Sequence, residues 1–403
     1  MWPKTDSQKT QPWLEPPPAA DNGRDFMVVG AGVAGAAIAR VLAERGCDVR
    51  VMDSAGIASG ASGNPAAVLR PVLARDADDP LSRFYSTAFT ATAERIKLLR
   101  LQGHAIAGEF AGAVHCHRHA QDMRGDAKHQ YLNAEQVSAR LGSAAQDQGV
   151  LLEDAGWVSP VDYCTALLAH DNIKLIQGEL TTLEHDGLAW RLFASEGSQI
   201  ASADNVILAN GWQMSHLAAT ETLPINPVLS QLLHFGSEHS NAGPALPLVG
   251  GGTICPSKDG WMATAGHWHN STDSTADPER NAEILSRCNA LWTMPINAET
   301  AQIRAAVRAT SPDYLPLVGG VPDVKNAQLV YDDLQHGRPA HHYPNAPHLP
   351  NLYMVAALGG RGITSAYFCA QVLEAVIFAQ QHPWQRALHP LRFLIRQLKR
   401  GKT

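Results

Sequence analysis

Residues 26–30, "FMVVG", form a short unbroken apolar run that reads as a buried strand. Gly30-Ala-Gly32-Val-Ala-Gly35 follows. Then comes "AAIARVLAERG", whose apolar positions recur at helical spacing and whose Gly46 suits a helix stop. "DVRVMD", residues 48–53, reads as a second strand ending in an acid, Asp53. Farther along, "DNVILANGWQ" (204–213) is an apolar strand ending in Asn210-Gly211, and it follows a candidate hairpin, "IKLIQGELTTLEHDGLAWRLFASEG". "NLYMVAALGGRGITSAYFCAQVLEAVI" (351–377) repeats the order strand, glycine turn, helix. Residues 216–344 alternate short apolar runs with turns, as an antiparallel sheet does, while residues 91–149 read as helical.

The first forty residues of this pattern carry a specific physics. Gly30 permits the tight turn, Gly32 lets a diphosphate approach the backbone, and Gly35 lets helix and strand pack closely. The free amides of Val33 and Ala34, with the positive end of the helix dipole, attract phosphate. Asp53, followed by Ser54, can accept hydrogen bonds from ribose hydroxyls, which disfavours a 2′-phosphate. A dinucleotide is therefore expected, FAD or NAD rather than NADP.

Three features favour FAD. No second GxGxxG occurs downstream. Asn210 and Gly211 end a strand that returns beside the first one. The turn Gly359-Gly360-Arg361-Gly362-Ile363-Thr364 would aim helix amides at an electron-rich group such as a flavin edge. "GIASGASGNPAAVLRP" (56–71) lacks bulky side chains, so backbone can come close to a cofactor. Ser62, Gly63 and Asn64 are its expected contacts, with Arg70 either facing the flavin or at the surface. Leu180 is assigned to the cofactor surface as well.

These stretches resemble the FAD-dependent amine and amino-acid oxidase superfamily. "ASGASGNPAAVLRPVL", "DDPLSRFYSTAF", "GWVSPVDYCTALL" and "IRAAVRATSPDYLPLVGGVPD" resemble, within it, the oxidoreductase half of the bifunctional tRNA wobble-uridine modification family. The resemblance spans about residues 25–403. It lacks that family's N-terminal methyltransferase domain, and "QPWLEPPP" looks like a linker. The resemblance implies an α/β fold: a Rossmann-type FAD-binding domain with a parallel central sheet, interleaved with an antiparallel-sheet (α+β) substrate domain. The expected FAD-binding segments are 25–90, 150–215 and 345–385. The substrate domain takes 91–149 and 216–344, with a flexible Pro-rich arm at 1–24 and a basic tail at 386–403.

The activity so implied is oxidation of 5-carboxymethylaminomethyl-(2-thio)uridine at the tRNA wobble position. The glycine-like carbon loses hydride, and water splits the imine to the aminomethyl nucleoside and glyoxylate. Positioning carries much of such a step. Arginine is the best partner for a small carboxylate. Arg308 and Arg361 are the candidates, with Tyr314 as an added hydroxyl donor. Arg308 could instead pair with Asp313, and Arg361 could contact the flavin or a loop carbonyl. Oxidation of a free small amine or amino acid (glycine, sarcosine or a D-amino acid) and a non-catalytic nucleotide-bound module remain alternatives.

Composition adjusts this picture at its edges. The formal net charge is −6, yet Arg386, Arg392, Arg396, Lys399, Arg400 and Lys402 follow the last acid, Glu374. Arg392, Arg396 and Arg400 fall on one helical stripe, a candidate local contact for tRNA phosphates or simply a solvated helix face. A separate methyltransferase is a possible further partner. The six cysteines form no Cys-x-x-Cys pair, which suits a reducing cytoplasm. They offer no motif for covalent flavin, so FAD is expected to be non-covalent. His115, His117 and His119 alternate along one face, as metal ligands or a half-exposed strand would, and no metal is assigned. The proline-rich loop 337–348 reads as solvated histidines. No run of eighteen apolar residues occurs, so no membrane helix is expected.

Overall fold

The computed structural model describes residues 11–401 except 21–22, 75, 77, 118–121, 123–127, 143, 146, 239–242, 267 and 293–297. One layer is a parallel sheet in the order Ile173–Gln177, Asp48–Asp53, Asp25–Val29, Asn205–Leu208 and His348–Ala356. Leu317–Pro322 adds an antiparallel edge strand. Val28 stands opposite Val51 on one side and Ile207 on the other. These residues are fully buried, as expected of a sheet covered on both faces. The chain leaves Asp25–Val29 toward Asp48–Asp53 and later returns on the opposite side as Asn205–Leu208. The crevice between them at the strands' carboxyl ends is a topological switch point, where open α/β sheets bind ligands.

Helix Val33–Glu44 packs against Gly362–Ile377, which in turn packs against Pro80–Leu101. The start of Val33–Glu44 also lies close against the first strand and the turn that follows it. A Cβ on Gly35 would fall 1.8 Å from the Gly30 carbonyl oxygen. Pro80–Leu101 starts where Asp79 accepts a hydrogen bond from the Ser82 amide at 2.7 Å, with Pro80 in the first turn.

The second layer is a mostly antiparallel sheet. Asn226–Phe235 lies between Gln302–Thr310 and Gly260–Thr264, and the sheet runs on through Thr253–Ser257, Leu248–Val249, Ala113–Cys116, Gly149–Leu152 and His129–Leu132. Leu248–Val249 with Ala113–Cys116 is its one parallel pairing among the described residues.

Several segments depart from the sequence-based expectation. Ile173–Gln177 is a parallel strand rather than half a hairpin, and Thr182–His185, Trp190–Phe193 and Gln199–Ala203 form a separate three-stranded meander. Region 91–149 holds three-dimensional pairing its periodicity did not show: past Leu101 it contributes short strands to two sheets. Gly149–Leu152 joins the antiparallel sheet and Leu317–Pro322 the parallel one, each across the boundary drawn from sequence.

The described part of the N-terminal arm is packed, not free. Trp13 is 6% exposed and sits edge-on against Tyr343, 5.7 Å between ring centroids. Glu15 pairs with Arg386 at 2.6 Å, and the Ala20 amide donates to the Ile377 carbonyl. Residues 1–10 lie outside the described residues. At the other end, helix Arg392–Leu398 is docked rather than solvated. Arg392 is 3% exposed and binds Asp313 through two nitrogens, at 2.8 and 3.1 Å. Arg396 reaches the same carboxylate at 3.0 Å. Two of the three arginines of the expected phosphate-facing stripe thus have an intramolecular acid as partner, and only Arg400 of the three is exposed.

Candidate functional site

The switch-point crevice opens into a cavity of about 820 Å³ lined from both layers. That is toward the upper end for a ligand pocket, roughly 300–1,000 Å³. On one wall, Gly30 has φ of +107°, and a Cβ there would fall 2.6 Å from the Ala209 carbonyl oxygen. The turn can exist only because that residue is glycine. A Cβ on Gly32 would sit 3.3 Å from Ser62 Oγ.

Asp53 organises the same wall. One carboxylate oxygen accepts from the Ala31 amide at 2.8 Å, the other from the Ala55 and Gly56 amides at 2.9 Å each. A carboxylate offers about four lone-pair sites. Asp53 therefore already fixes both the glycine turn and the next loop, with capacity left for a ribose hydroxyl. Ser62 Oγ accepts from the Val33 amide at 3.0 Å, which binds loop 56–64 to the helix start. Val33, Ala34, Ser54, Asn64 and Gly211 also line the cavity, and so does Asn210, whose buried Oδ1 has no hydrogen-bond partner among the described residues.

The opposite wall comes from Gln302–Thr310 and from Gly359–Thr364. They meet at a bridge between Thr310 and Leu358. That bridge brings Arg308, from the antiparallel layer, to the same cavity as Arg361, from the glycine turn of the parallel layer. Arg361 lies 5.3 Å from the centre of the Tyr85 ring, and the Tyr85 hydroxyl donates to the Tyr314 carbonyl at 2.8 Å. Tyr314 stands at the rim, 65% exposed.

Arg70 also lines the cavity and is not a surface residue. Burial pushes its guanidinium pKa down to about 9, and the like charge of Arg361 adds to the effect. Burial lowers Arg308 and Arg361 too, with the Tyr85 interaction partly offsetting it for Arg361. Among the described residues no carboxylate pairs with Arg70, Arg308 or Arg361. Asp313, the alternative partner of Arg308, is taken by Arg392 and Arg396. Three desolvated cations facing one cavity make a strong anion site.

Three assigned residues do not line the cavity. Gly35 serves helix packing. Gly63 is hemmed in by backbone and side chain: a Cβ would lie 2.5 Å from both the Ala58 carbonyl oxygen and the Arg304 guanidinium. Leu180 is partly buried and packs against the apolar cluster that contains Met52, Trp190 and Leu208. Sequence reading also missed Arg304 and Tyr85. Arg304 donates to the Ser59 and Gly60 carbonyls at 3.2 and 2.6 Å, tying the antiparallel sheet to the loop of small residues. Its signal was present. Arg304 and Arg308 are four apart on one strand, so they share a face.

His115 and His117 lie with ring centroids 6.0 Å apart on strand Ala113–Cys116 and the residue beyond it. Burial, then the charge of Arg70, pushes His115 down to about 3, a neutral imidazole. His119 lies outside the described residues, and among those described no group of three or more His, Cys, Asp or Glu could hold a metal. His348, read as solvated, is instead half-buried beside the buried His389.

The FAD dependent oxidoreductase family model matches residues 25–375. The chain is 30% identical over 414 residues to the "tRNA 5-methylaminomethyl-2-thiouridine biosynthesis bifunctional protein MnmC" of Pseudomonas entomophila, covering 97% of this chain and 63% of that protein. It is 32% identical over 406 residues to the protein of the same name in Methylobacillus flagellatus, covering 94% and 61%. The chain thus spans under two thirds of the length of these relatives. Its fold is similar to that of glycine oxidase from Geobacillus kaustophilus, with a TM-score of 0.69 at 19% identity over 91% of this chain and 98% of that one.

Proposed function

The chain belongs to the FAD dependent oxidoreductase family, and on that premise we propose that it cleaves the carboxymethyl group from 5-carboxymethylaminomethyl-(2-thio)uridine at the tRNA wobble position. The products are 5-aminomethyl-(2-thio)uridine and glyoxylate. The observation that carries this reading is the convergence of Arg308 and the Gly359–Gly362 turn on one cavity whose far wall is a dinucleotide cradle. The two curated relatives are named for synthesis of this class of tRNA nucleoside.

The residues present fit FAD. Gly30 and Gly32 leave space that a Cβ would fill, the Asn210 Oδ1 is an orphaned buried acceptor, and Asp53 keeps a lone pair for a ribose. The first glycine turn would hold the diphosphate and the Gly362 helix start the flavin edge. No cysteine or histidine lines the cavity among the described residues, which supports non-covalent binding. Bound FAD supplies the hydride acceptor.

The chain's own residues supply position and charge. Arg308 takes the substrate carboxylate, whose two oxygens match its fork. The arm –CH2–NH–CH2–COO⁻ is then drawn inward with the glycine-like carbon on the cavity axis. The surrounding cations disfavour a protonated amine, so the nitrogen enters neutral with its lone pair free. Loss of hydride from carbon and of a proton from nitrogen leaves the imine, and water adds to split it. The cavity remains open at the Tyr314 rim, through which that water enters.

The described cysteines are all free and buried, and no described helix is long and apolar enough to cross a membrane. The free thiols suit a reducing, cytoplasmic setting, where the aminomethyl product would pass to a methyltransferase. Incubating the yellow protein under air with tRNA bearing the carboxymethylaminomethyl group, and separately with glycine and sarcosine, tests the reading. Glyoxylate from the tRNA is expected. Glyoxylate from free glycine with none from tRNA would overturn it in favour of a free-amine oxidase.

A further inference from the structure

Tyr314 is displayed at a cost. It is 65% exposed and has φ of +60°, a left-handed conformation that penalises a side chain. The segment around it is nonetheless firmly held. Ser311 Oγ donates to the Leu315 carbonyl at 2.6 Å, and the Leu315 amide donates to Asp313 Oδ1 at 3.3 Å. Asp313 is in turn clasped by Arg392 and Arg396, and the Tyr85 hydroxyl holds the Tyr314 carbonyl. Every one of these contacts fixes backbone or a neighbour. Among the described residues neither the Tyr314 ring nor its hydroxyl has a hydrogen-bond or ring partner, although Tyr314 lines the cavity that contains Arg308. A rigid mount carrying a free aromatic face at a cavity mouth, with a carboxylate receptor farther in, suits a ligand with a flat ring and a short acidic arm.

We propose that Tyr314 is the stacking platform for the pyrimidine base whose amino-acid-like arm enters toward Arg308, and so sets the preference for nucleoside over free amine. This rests on the substrate reading above. The base stays at the rim against the ring face while the arm reaches inward. Stacking needs the ring and not the hydroxyl, so phenylalanine serves equally.

The test uses the FAD-loaded full chain and two substrates with the same secondary amine: the free nucleoside 5-carboxymethylaminomethyluridine, and N-ethylglycine, which has no base. Y314A and Y314G are expected to lower the ratio of kcat/KM for nucleoside over N-ethylglycine roughly 5- to 150-fold, the range for base stacking on an aromatic side chain. Most of the loss should fall in KM for the nucleoside. Y314F is expected to keep the ratio within about threefold. Y314G, freed of the left-handed penalty, is expected to melt no lower than wild type, which separates lost stacking from a collapsed loop. An unchanged ratio in Y314A, or a Y314F that behaves like Y314A, overturns this inference alone. A wild-type chain that oxidises N-ethylglycine but not the nucleoside, nor the same nucleoside within tRNA, overturns the substrate reading and this inference with it.

Discussion

The Gly30 Cα approaches the Ala209 carbonyl so closely that a methyl group on it would lie 2.6 Å from the oxygen. Glycine 211, two residues beyond Ala209, also has a positive φ, +66°, but faces open space. Gly30→Ala combines clash with strain and is expected to cost about 3 kcal/mol or more and to abolish FAD retention. Gly211→Ala meets strain but no protein atom, so its thermal loss should be smaller, about 1–2 kcal/mol. Melting curves and the ratio of flavin to protein absorbance check both. Equal losses in the two variants would mean that the Gly30 contact is not what shapes the turn.

Arg308→Ala should lower kcat/KM for carboxylate-bearing amines roughly 10- to 150-fold, the worth of a charge-assisted hydrogen bond (~1.5–3 kcal/mol), with flavin content intact. Flavin titration and steady-state kinetics measure the two separately. Loss of flavin in this variant would assign Arg308 to the cofactor instead.

Arg70 is a desolvated cation beside Arg361, and among the described residues no acid pairs with it. Arg70→Met is expected to raise the melting temperature, since removing an unpaired buried charge relieves a penalty. It should also weaken binding of small carboxylate inhibitors about tenfold, read from the flavin absorbance change on titration with acetate. A melting temperature that falls while acetate affinity stays constant would mean that Arg70 is a structural strut.

His348 Nε2 and His389 Nε2 are 3.3 Å apart under the N-terminal arm, where His389 also meets the backbone of Glu15. Burial pushes His348 down to about 4, and burial followed by the neighbouring His348 holds His389 well below the usual value. Unfolded histidine titrates near 6.5. Below that pH the unfolded chain binds the extra protons, so stability is full above about 6.5 and falls as pH drops toward 4. For His348 alone the loss is on the order of 2 kcal/mol between pH 6.5 and 5. Melting temperatures over that range should fall for wild type and fall less for His348→Gln. Parallel curves would place the acid sensitivity elsewhere.

The glycine turn proposed to hold the diphosphate was legible because its physics is local: Gly30, Gly32, Gly35 and Asp53 act within one strand–turn–helix–strand unit, and the parallel strands on either side are plain apolar runs. Arg308 and Arg361 stood out by residue type and neighbouring turns, and both line the cavity. What escaped was long-range. A basic stripe looks the same whether it meets phosphate or a carboxylate 79 residues away in sequence, as Arg392 does. "QPWLEPPP" has linker composition, yet Trp13 and Leu14 are apolar side chains that found a groove formed by Tyr331, Tyr343 and Leu398. The strands between residues 108 and 152 are too short for alternation to declare itself. Arg304 shares a strand face with Arg308, yet its role, bracing the loop of small residues, depends on a sheet register that only the folded chain specifies.

The Asp313 clasp gives the carboxyl end of the chain an unexpected reach. Clipping the polypeptide just before Arg392 would remove both guanidiniums from Asp313 while leaving the nucleotide cradle, built hundreds of residues earlier, covalently whole. The damaged protein would stay yellow yet be a poorer judge of what it admits. A cut there would surface as lost fidelity before it surfaced as lost pigment.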